Sequence, residues 1–205
     1  MKSLDAYADL LRFGKPVITT RDAAARLRTT PSAASRILGR LESSGLALSL
    51  RHGLWSLRPE IDPLVLPEYL TAPLPAYVSL QSALYYHGMI SQMPQVIFVA
   101  SLVRTRRITT SIATFSIHRI VPEFFGGYTT AQEIKMATPE KALLDVLYLS
   151  AARSRLFSHL PELQVPRSFR VRECRRWIAR IPAAYRRKMV ADRLEAALTS
   201  LHDED

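Results

Sequence analysis

The sequence predicts an α+β protein, in which a small helical module with a β-hairpin precedes a mixed α/β domain that ends in a helical C-terminal tail. Apolar residues recur at helical spacing through residues 4–44 and then alternate through residues 46–57. Short apolar runs and longer helical patterns follow from residue 77 onward. Five prolines between these parts indicate a connecting segment. The expected organisation is residues 1–60 for the module, residues 61–76 for a proline-rich linker and residues 77–205 for the second domain.

The first two helices of the module are predicted from their apolar stripes and their end signals. The first helix is stopped by Gly14 and Pro16. Its stripe contains Leu4, Tyr7, Ala8 and Leu11. The second helix begins after a threonine cap, either Thr19 or Thr20, and runs through Arg28.

A third helix extends from Pro31 to about Ser44. Thr30 is its predicted N-cap, and Pro31 suits the first helical position, where the missing N–H group is harmless. Gly45 provides the stop. The inward face is apolar and contains Ala34, Ile37, Leu38 and Leu41. The opposite face is small and cationic and contains Ser32, Arg36, Gly39, Arg40 and Ser43.

A β-hairpin follows the third helix. Leucines alternate at residues 46–50, a turn is predicted at residues 51–53, and a returning strand follows at residues 54–57. The order helix, helix, turn, helix and hairpin is that of a winged helix–turn–helix, whose third helix enters the DNA major groove. The residues predicted to contact DNA are Thr30, Ser32, Ser35, Arg36, Arg40, Arg51 and His52.

Charge favours double-stranded DNA as the partner of this module. Residues 1–58 carry ten basic and four acidic side chains, within a chain whose net charge is +10. Arginine side chains read guanine edges, and serine or threonine hydroxyls contact phosphate or base. The alternative is a protein-docking module whose exposed arginines are simply solvated.

Membrane insertion and secretion are not expected. Residues 69–103 contain no charged side chain, but prolines and glutamines interrupt the stretch, so it is predicted to be buried core rather than a membrane span. Residues 1–9 contain no apolar run of the secretory type. Cys174 is the single cysteine, which excludes an internal disulfide framework and a cysteine-rich zinc site. We therefore expect a cytoplasmic protein with no membrane partner.

The second domain is predicted to mix strands and helices. Ser79 is expected to cap a helix that Gly88 ends, and Thr138 opens a helix that is apolar nearly all round and hence central. Strands are predicted at residues 96–101, 104–110, 113–120 and 134–137. Two further helices, at about residues 169–181 and 183–202, form the tail.

Three blocks of this domain resemble one protein family. YVSLQSAL at residues 77–84 and YHG at 86–88 resemble the opening block of the AbiEi-type antitoxin domain. TFSIH at 114–118 and FGG at 125–127 resemble its middle block, and MATPEKALLD at 136–145 resembles its closing block. The blocks occur in the family's order, and an N-terminal winged helix is the family's usual companion.

The resemblance implies a role in a type IV toxin–antitoxin system of the abortive-infection type. In that family the winged helix binds inverted repeats upstream of its own operon and represses transcription. The second domain antagonises a separately encoded nucleotidyltransferase-like toxin. The alternative is a stand-alone winged-helix regulator whose second domain senses a ligand or binds another protein.

No catalytic residue, metal or cofactor is expected. Glu133 and Lys135 have the Glu-x-Lys form of a metal-dependent nuclease, but such a site needs a second carboxylate, and Glu123 is the only other acid in residues 69–135. An ion pair at a strand edge is therefore predicted, with a nuclease as the third alternative. Cys174 lies on an apolar helical face and is expected to be packed.

A basic tail offers a second candidate surface. Its members follow one another at helical spacing near the C-terminus, and arginine predominates, which suits phosphate and carboxylate forks. They are Arg172, Arg176, Arg180, Arg186, Arg187 and Lys188. The alternatives are a second contact with the DNA backbone, a docking surface for an acidic toxin, and a solubilising face.

Overall fold

The computed structural model describes residues 3–150 and 162–202. Within them the chain forms eight α-helices and two β-sheets, which confirms the α+β class. The N-terminal part consists of α1 (Ser3–Leu11), β1 (Val17–Thr19), α2 (Thr20–Arg26), α3 (Pro31–Ser43), β2 (Leu48–Arg51) and β3 (Leu54–Ser56). No helix in the described ranges is both long and apolar enough to cross a membrane.

Threonine caps fix the starts of α2 and α3. Thr19 Oγ1 accepts a hydrogen bond from the Asp22 N–H at 3.1 Å, and the Asp22 carboxylate accepts one from the Thr19 N–H at 2.9 Å. Thr30 Oγ1 accepts from the Ala33 N–H at 3.2 Å, as its sequence position predicts. α2 ends two residues earlier than expected, because Arg28 adopts a left-handed φ of 50°.

The first sheet, in the order β1–β3–β2, lies between two layers. One face packs on α1–α3 through buried residues that include Ile18 and Trp55. The other face carries Val17, Leu50 and Leu54, which pack against the second part of the chain. Strand β1 was not predicted, because three residues are too short to show an alternating pattern.

The segment predicted as a linker, residues 61–76, contains regular elements, which the sequence did not indicate. It contains a 3-10 helix (Pro63–Val65) and α4 (Pro67–Thr71), each with proline at a position where helices tolerate it. One apolar cluster, which we call the shared cluster, joins this segment to both sheets. Its buried members are Val17, Leu50, Leu54, Ile61, Val65, Leu66, Leu70, Ala76, Val99, Ile108, Phe115 and Ile117.

The second part of the chain contains six strands and four further helices. They are β4 (Ala76–Val78), α5 (Leu80–Tyr86), β5 (Ile97–Ser101), β6 (Arg106–Thr109), β7 (Thr114–Arg119), β8 (Tyr128–Ala131), β9 (Ile134–Ala137), α6 (Pro139–Leu149), α7 (Val171–Ala179) and α8 (Ala184–His202). The six strands form the second sheet in the order β6–β7–β5–β4–β9–β8. The shared cluster covers one face of this sheet, and α5 to α8 pack on the other. A 3-10 helix (Pro122–Phe124) follows β7.

Two expectations for this domain have opposite outcomes. α6 is central as predicted: every residue from Glu140 to Tyr148 is buried. Ser79 occupies the N-cap position of α5, but the predicted capping by its side chain is wrong, since that side chain makes no cap hydrogen bond. The Ser79 hydroxyl donates to the buried Asp145 carboxylate at 2.7 Å, which is a charge-assisted hydrogen bond.

Candidate nucleic-acid interface

A groove of about 890 Å³ lies where the N-terminus of α3 meets the β2–β3 turn. The first turn of α2 forms its third wall. We call it the α3 groove. The polar or charged side chains that line it include Arg21, Ser32, Ser35, Arg36, Ser49 and His52. Four of these six were predicted as DNA contacts, so the structure brings most of the candidate set into one concave surface.

The packing of α3 decides which side chains reach this groove. Ala34, Leu38 and Leu41 are fully buried against α1, α2 and the first sheet. The opposite side of the helix is therefore exposed and carries Arg36 and Arg40. Arg36 lines the groove, whereas Arg40 lies one turn further along the helix, outside the groove lining.

Thr30 has a structural task beside the one predicted from the sequence. Its hydroxyl oxygen accepts the N-cap hydrogen bond from Ala33, which holds the start of α3 in place. The hydroxyl hydrogen is left as a donor on an exposed residue. Thr30 thus positions the groove residues Ser32 and Ser35.

Three hydrogen bonds hold the β2–β3 hairpin beside α3. Trp55 Nε1 donates to Thr20 Oγ1 at 3.0 Å, which ties β3 to the start of α2. On the other edge, the Ser111 N–H donates to the Leu50 carbonyl at 2.8 Å, and its hydroxyl donates to the Ser49 carbonyl at 2.7 Å. The second domain therefore supports the base of the hairpin.

The hairpin turn itself presents the predicted residues Arg51 and His52. Both are exposed, and the register of β2 shifts between Ser49 and Arg51. His52 lines the α3 groove, while Arg51 does not. Arg51 therefore lies at the margin of this surface.

Sequence reasoning missed Arg21. It is exposed in the first turn of α2 and lines the α3 groove. A signal was present, since Arg21 lies outside the apolar positions Ala23 and Ala24 of the same helix. Its proximity to α3 depends on the angle between the two helices, which one sequence does not reveal.

The first half of the basic tail is an exposed row on α7. Arg172, Arg176 and Arg180 are all exposed, at spacings of four residues. Arg176 pairs with Glu173 at 2.7 Å, and the Arg180 guanidinium lies 4.4 Å from the centre of the Trp177 ring. This row stays a candidate surface.

The second half of the tail contacts the protein itself. Arg186 donates to the Tyr148 hydroxyl at 3.0 Å and lies over its ring, and Arg187 donates to the Ile181 carbonyl at 3.1 Å. Both arginines are half-buried, so each guanidinium is only partly accessible to a partner. Lys188 is exposed.

A buried polar network lies at the centre of the second domain. Lys141 and Asp145 form an ion pair, Tyr77 donates to Asp145 at 3.0 Å, and Lys141 donates to the Tyr77 hydroxyl at 3.0 Å. Burial lowers the pKa of Lys141, against the attraction of Asp145, and raises the pKa of Tyr77 well above its usual value. All three residues are fully buried, as is Ser79, so the network belongs to the core of the domain.

Both charged residues of the Glu-x-Lys pattern form ion pairs with other parts of the chain. Glu133 lies in the β8–β9 turn with a φ of 69° and pairs with Arg58 at 2.5 Å. Lys135 pairs with Glu68 at 2.6 Å, and this hydrogen bond raises the pKa of Lys135. Among the described residues, no group of three histidine, cysteine or acidic side chains is placed to hold a metal ion.

Cys174 is fully buried, as predicted. Burial raises the pKa of its thiol to about 12, so the reactive thiolate is scarce at neutral pH.

A second cleft, of about 590 Å³, lies between α5 and the loop that precedes β5. Its lining is mainly apolar and aromatic, with Tyr85, Tyr86 and Met93 exposed. Asp62, which caps the 3-10 helix through the Leu64 N–H at 2.8 Å, is its one charged lining residue among those described. We call it the α5 cleft.

Comparisons with known proteins establish a fold likeness and no family. No protein-family model matches the chain, and no curated protein matches it. Among solved structures, the crystal structure of the RV2827C protein from Mycobacterium tuberculosis is similar, with a TM-score of 0.52 and 18% sequence identity. The match covers 91% of this chain and 69% of that one. At this identity the likeness concerns the fold alone.

Proposed function

We propose that residues 1–60 form a winged helix–turn–helix that binds double-stranded DNA and that the protein is a transcriptional repressor. The observation that carries the proposal is the α3 groove, in which Ser32, Ser35 and Arg36 converge with Arg21 and the hairpin. The N-terminal half of α3 enters the major groove, where Arg36 pairs with a guanine edge. Exposed hydroxyl groups and arginines beside it bind phosphates.

The hairpin acts as the wing in this proposal. Arg51 and His52 are exposed at its turn and contact the backbone next to the major-groove site. Ser111 supports the wing from the second domain through its two hydrogen bonds to β2. The full-length chain is therefore the form that binds DNA best.

We further propose that the protein acts as the antitoxin of a type IV system. The opening and closing blocks that resemble the AbiEi-type domain are joined by hydrogen bonds in the core. Tyr77 of the opening block bonds to Lys141 and Asp145 of the closing block, and Ser79 bonds to Asp145. This supports their belonging to one structural unit. The exposed arginines of α7 are the surface that suits an acidic toxin.

The second candidate function is a stand-alone regulator with a sensing domain. The α5 cleft favours it, because a largely apolar cavity of this size suits a small ligand. The genes beside this one separate the candidates. A nucleotidyltransferase-like reading frame whose toxicity is relieved by co-expression supports the antitoxin, whereas unrelieved toxicity despite a folded protein contradicts it.

The DNA proposal is tested with two arginine variants and two duplexes, one from upstream of the protein's own gene and one of random sequence. We expect Arg36→Ala to cost about 1–3 kcal/mol on the upstream duplex and much less on the random one. Arg51→Ala should weaken both to the same extent. Arg26→Ala is the matched control, since Arg26 is exposed on α2 but bonds to the Asp9 carbonyl at 3.1 Å, away from the α3 groove.

Two results would contradict the DNA proposal. The first is binding of the upstream duplex that is no stronger than that of the random one. The second is an equal loss of binding affinity on both duplexes for Arg36→Ala, which would exclude recognition of bases by this residue of α3. Binding should also weaken with added salt, because each neutralised phosphate releases counterions.

A further inference from the structure

α1 carries an apolar stripe that faces away from the protein. Its inner side buries Ala6 and Leu10. Its outer side exposes Leu4 by 68%, Leu11 by 48%, and Ala8 between them. Positions spaced by three and four residues form one line on a helix, so these three side chains make a continuous strip. We call it the α1 stripe.

Charged residues flank this stripe in a self-complementary order. Asp5 directly follows Leu4, and Arg12 directly follows Leu11. Because Asp5 and Arg12 are seven residues apart, both charges lie on the same side of the stripe. A second α1 placed antiparallel on the first sets Asp5 of each copy against Arg12 of the other. In a parallel placement the charged sides of the two copies would lie on opposite sides of the stripe, so this attraction would be absent.

We propose that the α1 stripe is a self-association surface, through which two copies of the chain pair by antiparallel α1 helices about a two-fold axis at Ala8. Leu4 of one copy then packs on Leu11 of the other, as an isologous interface requires. The exposed Arg12–Asp9 pair within one copy, at 3.0 Å, does not compete strongly, because such surface pairs contribute little.

The stripe is small for a stable dimer. Three side chains on a nine-residue helix bury far less than the roughly 800 Å² per partner of a standard interface. The pairing is therefore weak and depends on protein concentration. If the protein also binds DNA as proposed above, two adjacent half-sites would strengthen it by raising the local concentration. The pairing itself does not depend on DNA binding and is tested without DNA.

A cysteine at the two-fold axis tests the pairing directly. Ala8→Cys places one thiol of each copy face to face, whereas the native Cys174 is buried and does not react. We expect a disulfide-linked dimer of the full-length chain under mild oxidation. The matched control is Ala179→Cys, an exposed alanine-to-cysteine change at the end of α7. Equal rates of cross-linking for the two variants would overturn the proposal.

Charge reversal tests the antiparallel order on the Ala8→Cys background. Asp5→Arg and Arg12→Asp should each slow disulfide formation, because each sets like charges against each other. The double reversal should restore the rate to within about twofold of the parent, since the pair again attracts. Failure of the double variant to recover, with circular dichroism unchanged, would overturn the arrangement. Leu11→Gln should slow the reaction on the same background, and an unchanged rate would equally count against the stripe.

Discussion

Lys141 and Asp145 form an ion pair one helical turn apart on α6, and neither side chain is exposed. The pair is enclosed by aromatic rings: the Lys141 ammonium lies 3.9 Å from the centre of the Phe124 ring and 5.3 Å from that of Trp177. Tyr77 bonds to both charges. A buried charge without its partner is costly, so the network stabilises the domain only when it is complete.

Removing one charge of this pair should destabilise the protein strongly. Lys141→Met leaves the Asp145 carboxylate buried and unpaired, and we expect it to lower the free energy of unfolding by about 3–5 kcal/mol. The double variant Lys141→Met/Asp145→Leu should recover a large part of the loss, because it buries no charge. Urea unfolding of the three proteins measures both effects. A double variant as unstable as the single one would show that packing, not charge, dominates.

Gly127 should tolerate no side chain. Its φ is +72°, and an added Cβ would lie 2.9 Å from both Lys141 Cγ and Trp177 Cζ2. Gly88 has a similar φ of +68°, but no heavy atom of the described chain lies within 4 Å of its Cβ position. We expect Gly88→Ala to cost about 1–2 kcal/mol from backbone strain. Gly127→Ala should cost a further 1–3 kcal/mol or so through overpacking. Equal thermal stabilities of the two variants would refute the close contact.

His118 should make the protein less stable below neutral pH. Its ring is 7% exposed, stacks on Phe98 and bonds to the Ser116 hydroxyl at 2.8 Å, and burial lowers its pKa to about 4. Between its ordinary pKa of about 6.5 and that value, the unfolded chain binds a proton that the folded chain does not. Stability is therefore fully present above pH 6.5 and is lost as pH falls toward 4, by at most about 3 kcal/mol.

The measurement compares the wild type with His118→Gln. The difference in their free energies of unfolding should shrink as pH falls from 7 to 4, since carboxylates titrate alike in both proteins. A difference that does not change with pH would mean that His118 titrates normally in the fold.

The two halves of the chain should unfold together. Trp55 and Trp177 are the two tryptophans, one in each half, so the variants Trp177→Phe and Trp55→Phe each leave one reporter. The shared cluster joins the halves, and we expect coincident fluorescence transitions in urea. Leu50→Ala should lower both midpoints, with a loss of about 2–5 kcal/mol. Two separate transitions would show that the N-terminal module and the second domain unfold independently.

Much of the secondary structure was predictable because its signals are local. The caps at Thr30 and Thr138 and the all-apolar pattern of α6 depend on neighbouring residues only, and each is found in the structure. β8 has four residues without an alternating apolar pattern and pairs with the neighbouring β9. β1 and β4 have three residues each and take their form from pairing with distant strands. Sequence patterns contain no information on such partners, so these strands were missed.

The candidate site was predicted in the same uneven way. Exposure of Arg36 and Arg40 follows from helical spacing, which the sequence contains. The grouping of Arg21 with Arg36 depends on the angle between α2 and α3. The partial burial of Arg186 and Arg187 depends on how α8 meets Tyr148 and Ile181.

The sequence by itself determined the α+β class, the order of most elements, the charge of the N-terminal module and the inward and outward faces of α3. These are set by spacing and composition along the chain. Tertiary structure decided that the two parts share a core, that the proline-rich segment belongs to that core, and that Ser79 bonds to Asp145 rather than capping a helix. Such contacts join residues far apart in sequence, where burial and hydrogen bonding outweigh local preference.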